Sequence, residues 1–597
     1  MGIETASGRI HGCDLKACRD RPKCCAPIDQ CLKHPRAHTA TLMDRIHRHS
    51  GDLQFVHDQP GRGKSDQNSL LCVDTHHHSA VFGKFSFPLL SGPEPLQCKA
   101  IQLQTGRQVV GTQFSWVDRG LTNQKSTARV TRLLTLPVRP TRRSMPHPYE
   151  SGCDLNSPNR NLAPVTAELD DQGRLTVGGC ALSELANRYG TPLYVLDEVS
   201  IRKACQAYRE ALTRHYPGPS LAIYASKANS SLALTALVAS EGLGLDAVSA
   251  GELMTALDGG MPAERIVLHG NNKSIDELTL AYRNGVMVVA DNQHDLDCLQ
   301  KIVPEGGEPA RLMLRFTPGI ECHTHEYIRT GHLDSKFGFD PDQLEPVLRQ
   351  LQGCSWARVE GLHAHIGSQI FELEPHRDLS AVMADALRLA IDLGHPVRDL
   401  NVGGGLGIRY VESDAPPSID AWVKVVAEAV VAACKERGLE LPRLLCEPGR
   451  SLVAPAGVTV YTVGSRKVVP GIRTYLSVDG GMSDNPRPIT YQSLYTTCLA
   501  DRPLAEAEET VTLAGKHCES GDVLLKDLAF PACGSGEILA IFATGAYNAS
   551  MSSNYNRIPR PAAVLVHGGD AELVQRREQP EDLLRYDLMP ERLRSVN

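Results

Sequence analysis

At 597 residues the chain is long enough for two folded units and an extension, with a single barrel of about 250 residues among the common solutions. Its 62 basic and 69 acidic residues are intermixed and sum to a formal charge of −7, which excludes the one-signed basic field of a nucleic-acid binder and leaves small molecules as the expected partners. No apolar run reaches the roughly eighteen residues of a membrane span, and no apolar core with a cleavage site opens the chain, so the expectation is a cytoplasmic protein with no membrane partner.

Residues 1 to 150 differ from the rest. They carry 21 Lys plus Arg against 12 Asp plus Glu, whereas the remainder is strongly acidic, and they hold ten of the 22 histidines. Little helical or strand periodicity is sustained there, which predicts a low-order extension and is compatible with a start codon assigned too far upstream, Met145 being a plausible true start. Its arginine and serine content is similar to that of a transit peptide, but such peptides are poor in acids and rarely so rich in Cys and His. The cluster Cys13, Cys18, Cys24, Cys25, Cys31, His34 and His38 lacks the paired CxxC spacing of structural zinc, so no metal is expected. Of the chain's 18 cysteines, those elsewhere are scattered singly through apolar segments (Cys205, Cys298, Cys434, Cys446), the pattern of reduced structural thiols.

From residue 197 the pattern becomes regular. A first helix places Ile201, Ala204, Cys205, Tyr208, Ala211 and Leu212 on one face. Short β-rich runs then alternate with helical segments: 221–225, 243–248, 265–269, 286–290, 311–316, 359–366, 400–404 and 443–447. Eight such alternations predict an α/β fold, a (β/α)8 barrel over 197–449 whose chemistry sits at the carboxyl ends of the strands, and polar or glycine-rich sequence does follow most of these runs. After residue 450 the runs 458–464, 474–480, 509–515 and 537–542 predict a mainly antiparallel β domain of residues 450–597, to which 160–196 contribute strands.

Lys227 ends the first strand, in YASKAN, at the mouth of an otherwise apolar barrel. It is either a solvated rim charge or a Schiff-base nucleophile, whose free amine burial would supply by lowering its pKa. Three features favour the second reading. NVGGGLG, with Gly403, Gly404 and Gly405 after the seventh strand, would let backbone N–H groups approach a phosphate, although a tight turn explains the run equally well. EPGRS follows the eighth strand and sets Glu447 three residues from Arg450, a pair suited to a ring nitrogen and to a phosphate or carboxylate. In HAHIGSQ, His363 and His365 share a strand face; zinc is the rival there, but no third ligand lies at a supporting spacing, and a stacking imidazole with the Ser368 hydroxyl fits better. Cys322, His323 and His325 in the HTHEYI region read as a loop over the mouth rather than a metal site. Asp246 and Glu252 could orient Lys227 or Arg450, or be structural ion pairs.

These motifs, with HGNNKS (269–274), SKFGF (335–339), DGGM followed by RPITY (487–491), CESGD (518–522) and GAY (545–547), resemble in type and order the diaminopimelate decarboxylases, of the alanine-racemase-like pyridoxal-phosphate class, over roughly residues 160–597. The resemblance implies pyridoxal 5'-phosphate bound through Lys227, with His365 stacked on its ring and Glu447 on its ring nitrogen. Ser368, Gly403, Gly404, Gly405, Arg450 and Tyr547 would surround its phosphate. It implies that Cys518 is the acid that returns a proton after carbon dioxide departs, reaching a neighbouring subunit's site in a homodimer with shared active sites. Arg450, Arg487, Tyr491, Glu519 and Tyr547 resemble substrate contacts. The activity implied is decarboxylation of meso-2,6-diaminopimelate to L-lysine; rivals are decarboxylases of ornithine, arginine or carboxynorspermidine, a racemase, and a catalytically dead regulatory homologue. A lone cysteine is more often a small buried hydrophobe, but Glu519 and Asp522 argue against an apolar setting for Cys518.

Overall fold

The computed structural model describes residues 153–320 and 334–594, together with the backbone of five strands between residues 53 and 116. The chain divides into two units, 1–138 and 139–597. In the first, Leu53–Val56, Leu71–Asp74 and Ser79–Val81 form an antiparallel three-stranded sheet, and Cys98–Thr105 pairs with Gln108–Trp116 as a hairpin. The strands fall where a low-order extension is expected from sequence; the remainder of that stretch, with its Cys/His cluster and Met145, lies outside the described residues, as does HTHEYI.

In the second unit, helix Glu198–His215 begins at Asp197, whose carboxylate accepts the Ser200 N–H at 3.0 Å, and it buries the six residues expected from its periodicity. Eight parallel strands follow: Ser220–Ala225, Gly244–Ala247, Ile266–Leu268, Met287–Ala290, Ala310–Arg315, Ala357–His363, Asp399–Asn401 and Arg443–Cys446. They close into a barrel, the first pairing with the eighth at Ser220↔Leu444. Strand alternation sorts the core in two. Ile223, Val267, Met287, Val289, Met313 and Leu445 pack in the lumen, while their neighbours Tyr224, Leu268, Val288, Leu312 and Leu444 join the larger core outside it. At Gly361 an added Cβ would lie 2.9 Å from Asp399 Cβ and 3.1 Å from Asp399 O on the neighbouring strand, so glycine fits that point.

Beyond the barrel lies a nine-stranded sheet built around the long strand Gly457–Val469, which pairs with Leu193–Asp197, Arg473–Val478 and Ile538–Phe542. Leu193–Asp197 precedes the barrel in sequence yet sits inside this sheet, between Gly457–Val469 and Ala562–His567. Most pairings are antiparallel; Leu193–Asp197 with Ala562–His567 and Arg473–Val478 with Glu509–Ala514 are parallel, which makes the sheet mixed. Helical and barrel segments long enough to reverse the chain separate at least the first of these pairs, as parallel pairing requires. The sheet domain reaches the barrel mouth through the GAY turn: the Tyr547 N–H donates to Ala228 O at 2.7 Å and Asn229 Nδ2 to Gly545 O at 3.3 Å. Among the described residues no helix is long and apolar enough to cross a membrane, and the cysteines are unpaired.

Candidate active site

Lys227 lies in the single turn Ser226–Ala228 that follows the first barrel strand, with its side chain 47% exposed toward the mouth. Its Nζ is 3.9 Å from the Asp246 carboxylate, which lies near the end of the second strand and is itself buried. Burial alone would lower the amine's pKa, as expected from sequence, but Asp246, Tyr547 and Glu447 outweigh it and hold the pKa above the ordinary lysine value. The expectation of a burial-freed amine is therefore corrected: the Asp246 and Glu447 carboxylates, from two strand ends, act on it together. Glu252 turns back to its own backbone, accepting the Val248 N–H at 2.8 Å.

Glu447, after the eighth strand, is the hub of the mouth. His269 Nε2 lies 2.8 Å from its Oε1, His363 Nε2 lies 3.1 Å from its Oε2, and Asn401 Nδ2 donates to Oε1 at 2.7 Å. Burial pushes this carboxyl up, but the two imidazoles more than reverse it and keep it well below the usual carboxylate range. Among the described residues His269, His363 and Glu447 bring three potential metal-ligand atoms within 4.8 Å of one another, a grouping from separate strand ends that the His363/His365 spacing does not reveal; the nitrogens sit at hydrogen-bonding distance from the carboxylate. His365 instead accepts the Gly404 N–H on Nδ1 at 3.2 Å, and burial, Lys227 and Arg315 keep it neutral.

On the other side stand two guanidiniums among tyrosines. Arg450 donates to Tyr410 Oη at 2.6 Å and to Ser368 Oγ at 3.0 Å, and its guanidinium lies 4.8 Å from the Tyr547 ring centre. Arg487 is buried and lies 5.3 Å from the Tyr491 ring and 5.6 Å from those of Tyr410 and Tyr547. Tyr547 holds a left-handed φ of 60°, a cost that over-determined functional positions tolerate, and the backbone bond to Ala228 sets it there. In the glycine run, Gly403 spends its N–H on Asn401 and Gly404 on His365, so among the described residues Gly405 is the member whose N–H has no protein partner. A Cβ at Gly404 would lie 2.2 Å from Glu447 O, so glycine there permits the seventh and eighth strand ends to touch.

With this geometry in view, comparison with known proteins is decisive. The family model described as "Pyridoxal-dependent decarboxylase, pyridoxal binding domain" matches residues 198–454. The chain is 55% identical over 447 residues to diaminopimelate decarboxylase of Synechocystis sp., covering 74% of this chain and 95% of that one, and 44% identical to that of Bacillus subtilis, covering 71% and 97%. The chain belongs to the diaminopimelate decarboxylase family. A solved structure of the family from M. jannaschii, in complex with L-lysine, superposes with a TM-score of 0.67 at 33% identity, covering 72% of this chain and 99% of that one.

Pyridoxal phosphate is the family's cofactor, and the site's chemistry fits it. Arg450 Nε and Arg487 Nε are buried with no partner among the described residues, positive groups with donors to spare for anions, beside an amine and an ionised carboxylate. Two family motif residues lie on the sheet domain rather than at a barrel strand end. Cys518 and Glu519 are exposed on the loop joining Glu509–Ala514 to Val523–Phe530; Asn556 accepts the Cys518 N–H at 2.9 Å, and Glu519 accepts the Gly521 N–H at 3.2 Å. Asp522 anchors that loop by accepting the Met482 N–H at 2.7 Å and pairing with the buried His517 ring. His269, Asn401, Tyr410 and Arg315 were not singled out from sequence. His269 had a signal, since it opens HGNNKS at a strand end; Tyr410 and Asn401 had none beyond lying on either side of the glycine run.

Proposed function

We propose that this chain removes carbon dioxide from meso-2,6-diaminopimelate and releases L-lysine, the last step of lysine biosynthesis, with pyridoxal phosphate as cofactor. The observation that carries the reading is Glu447, a buried carboxylate kept ionised in the same barrel mouth as Lys227. The bound cofactor supplies a cationic ring that accepts the electron pair left when the carboxylate departs. Lys227 offers the amine for the cofactor's aldehyde, and His365 the imidazole beside its ring. Arg450, Ser368, Tyr547 and the Gly403–Gly405 run would hold the phosphate. Glu447 accepts from the ring nitrogen and thereby keeps its proton in place. Arg487, buried yet unsatisfied at Nε, with Tyr491 beside it, binds the distal carboxylate that separates a diamino diacid from ornithine, arginine or carboxynorspermidine.

Cys518 then delivers the proton to the substrate carbon, while Glu519 meets the distal ammonium. Within one chain both bond to their own sheet domain, which supports a homodimer in which each subunit lends them to the other's barrel. Unpaired cysteines throughout the described residues support a reducing, cytoplasmic setting. The test is a substrate comparison with pyridoxal phosphate present. Lysine and carbon dioxide are expected from meso-diaminopimelate, and Arg487→Met should raise KM for it about 30-fold, the loss of one charge-assisted contact of about 2 kcal/mol. Preference for a monocarboxylate would overturn the substrate assignment.

A further inference from the structure

Glu447 is held by more of the chain than a ring partner needs. A carboxylate offers about four lone-pair sites. Oε1 takes His269 at 2.8 Å and Asn401 at 2.7 Å, and Oε2 takes His363 at 3.1 Å. Among the described residues one site, on Oε2, is left. The three donors come from three strand ends: His363 and Asn401 are the last residues of their strands, and His269 follows Ile266–Leu268, fixed by its backbone N–H to Ala247 O at 2.8 Å.

Donor and acceptor roles are settled by chemistry. Asn401 Oδ1 accepts the Gly403 N–H at 3.0 Å, a group that can only donate, so its amide nitrogen must face the carboxylate, which can only accept. Burial drives His363 down to about 3, so its ring is neutral and bonds Glu447 through a protonated Nε2. The His269 ring meets the His363 ring edge-on at 4.7 Å, which packs the two together. Among the described residues, Lys227, Asp246, Arg315 and His365 are the other charged or titratable groups facing Glu447. Asp246 opposes its ionisation, and Lys227 and Arg315 assist it.

A proton shared between a carboxylate and a ring nitrogen goes to the stronger base. Each hydrogen bond onto the carboxylate makes it a weaker one, so donors on Glu447 push the shared proton onto the ring.

We propose that His269, His363 and Asn401 are positioning residues: they keep Glu447 ionised and turn its one remaining lone pair to the cofactor's ring nitrogen, and Asn401 ties that orientation to the Gly403–Gly405 run. This rests on the proposed function. It adds that ring protonation is set by residues that do not touch the ring, and that the phosphate loop and the ring partner are held in one register.

The test uses the full chain loaded with pyridoxal phosphate labelled at the ring nitrogen. Nitrogen NMR reports ring protonation across a pH series, and dialysis reports cofactor retention. His269→Leu and Asn401→Leu should each release the ring proton about one pH unit earlier than wild type and weaken cofactor binding about tenfold, and His269→Gln, which keeps an N–H donor, should recover most of both. If the Leu variants unfold, His269→Gln and Asn401→Asp decide, the first matching wild type and the second losing the ring proton. A ring that titrates as in wild type in every folded variant overturns the proposal. Failure of wild type to take up the cofactor would instead overturn the proposed function.

Discussion

Lys227 carries its amine beside Asp246, with Glu447 and Tyr547 near, so in the cofactor-free protein it is a cation with a pKa above that of an ordinary lysine. Only the neutral amine attacks an aldehyde, so capture of pyridoxal phosphate by the apoprotein should quicken as pH rises. Asp246→Asn removes the largest of the favourable charges. Its capture-rate profile should move about one unit toward lower pH, measured by the rise of cofactor absorbance in stopped flow. A profile that coincides with wild type would mean that Asp246 does not set the amine. Tyr410 illustrates the same economy of charge. Burial pushes its hydroxyl up, yet the guanidiniums of Arg450 and Arg487 bring it below the ordinary tyrosine value, so one phenol lies between both cations.

At the scale of elements, helix Glu374–Asp392 docks beneath the glycine run through His376. This residue is buried, edge-on to Trp422 of helix Ile419–Glu436 at 5.3 Å, and neither ring nitrogen has a partner among the described residues. A Cβ added at Gly405 would meet its Cε1 at 3.1 Å, which ties the helix position to the loop. Burial lowers its pKa from 6.5 to about 4, so the folded state keeps it neutral where the unfolded chain takes up a proton. Its contribution to stability is therefore complete above about pH 6.5 and is lost as pH falls toward 4, by about 1.4 kcal/mol per unit. His376→Leu lacks that loss. Denaturant titrations should find the variant gaining on wild type between pH 6.5 and pH 4.5 by about 2–3 kcal/mol, whatever their difference at neutral pH. A constant gap across that range would contradict the assigned burial.

For the whole molecule, the loop bearing Cys518 bonds within the sheet domain while Lys227 and the arginines face the barrel mouth. If two subunits exchange these contributions, Lys227→Ala and Cys518→Ala should each be inactive alone. Mixing and refolding the two in equal amounts should restore about a quarter of wild-type activity, because half of randomly paired dimers then hold one intact site. No recovery, with dimers present in the mixture, would place Cys518 in its own subunit's site.

Sequence alone determined the elements and the chemistry types. Eight apolar runs, each about one strand long and many followed by polar or glycine-rich residues, announce a barrel because local periodicity and turn chemistry are properties of neighbours along the chain. Lys227, Glu447, Arg450 and the glycine run are likewise visible as motifs at strand ends. Tertiary structure alone decided what those groups feel. Glu447 gathers donors 178, 84 and 46 residues away, Lys227 meets carboxylates from two strand ends, and Leu193–Asp197 enters a sheet otherwise built after residue 456. Electrostatics and hydrogen bonding depend on distance through space, and barrel closure makes neighbours of residues that no spacing along the chain relates.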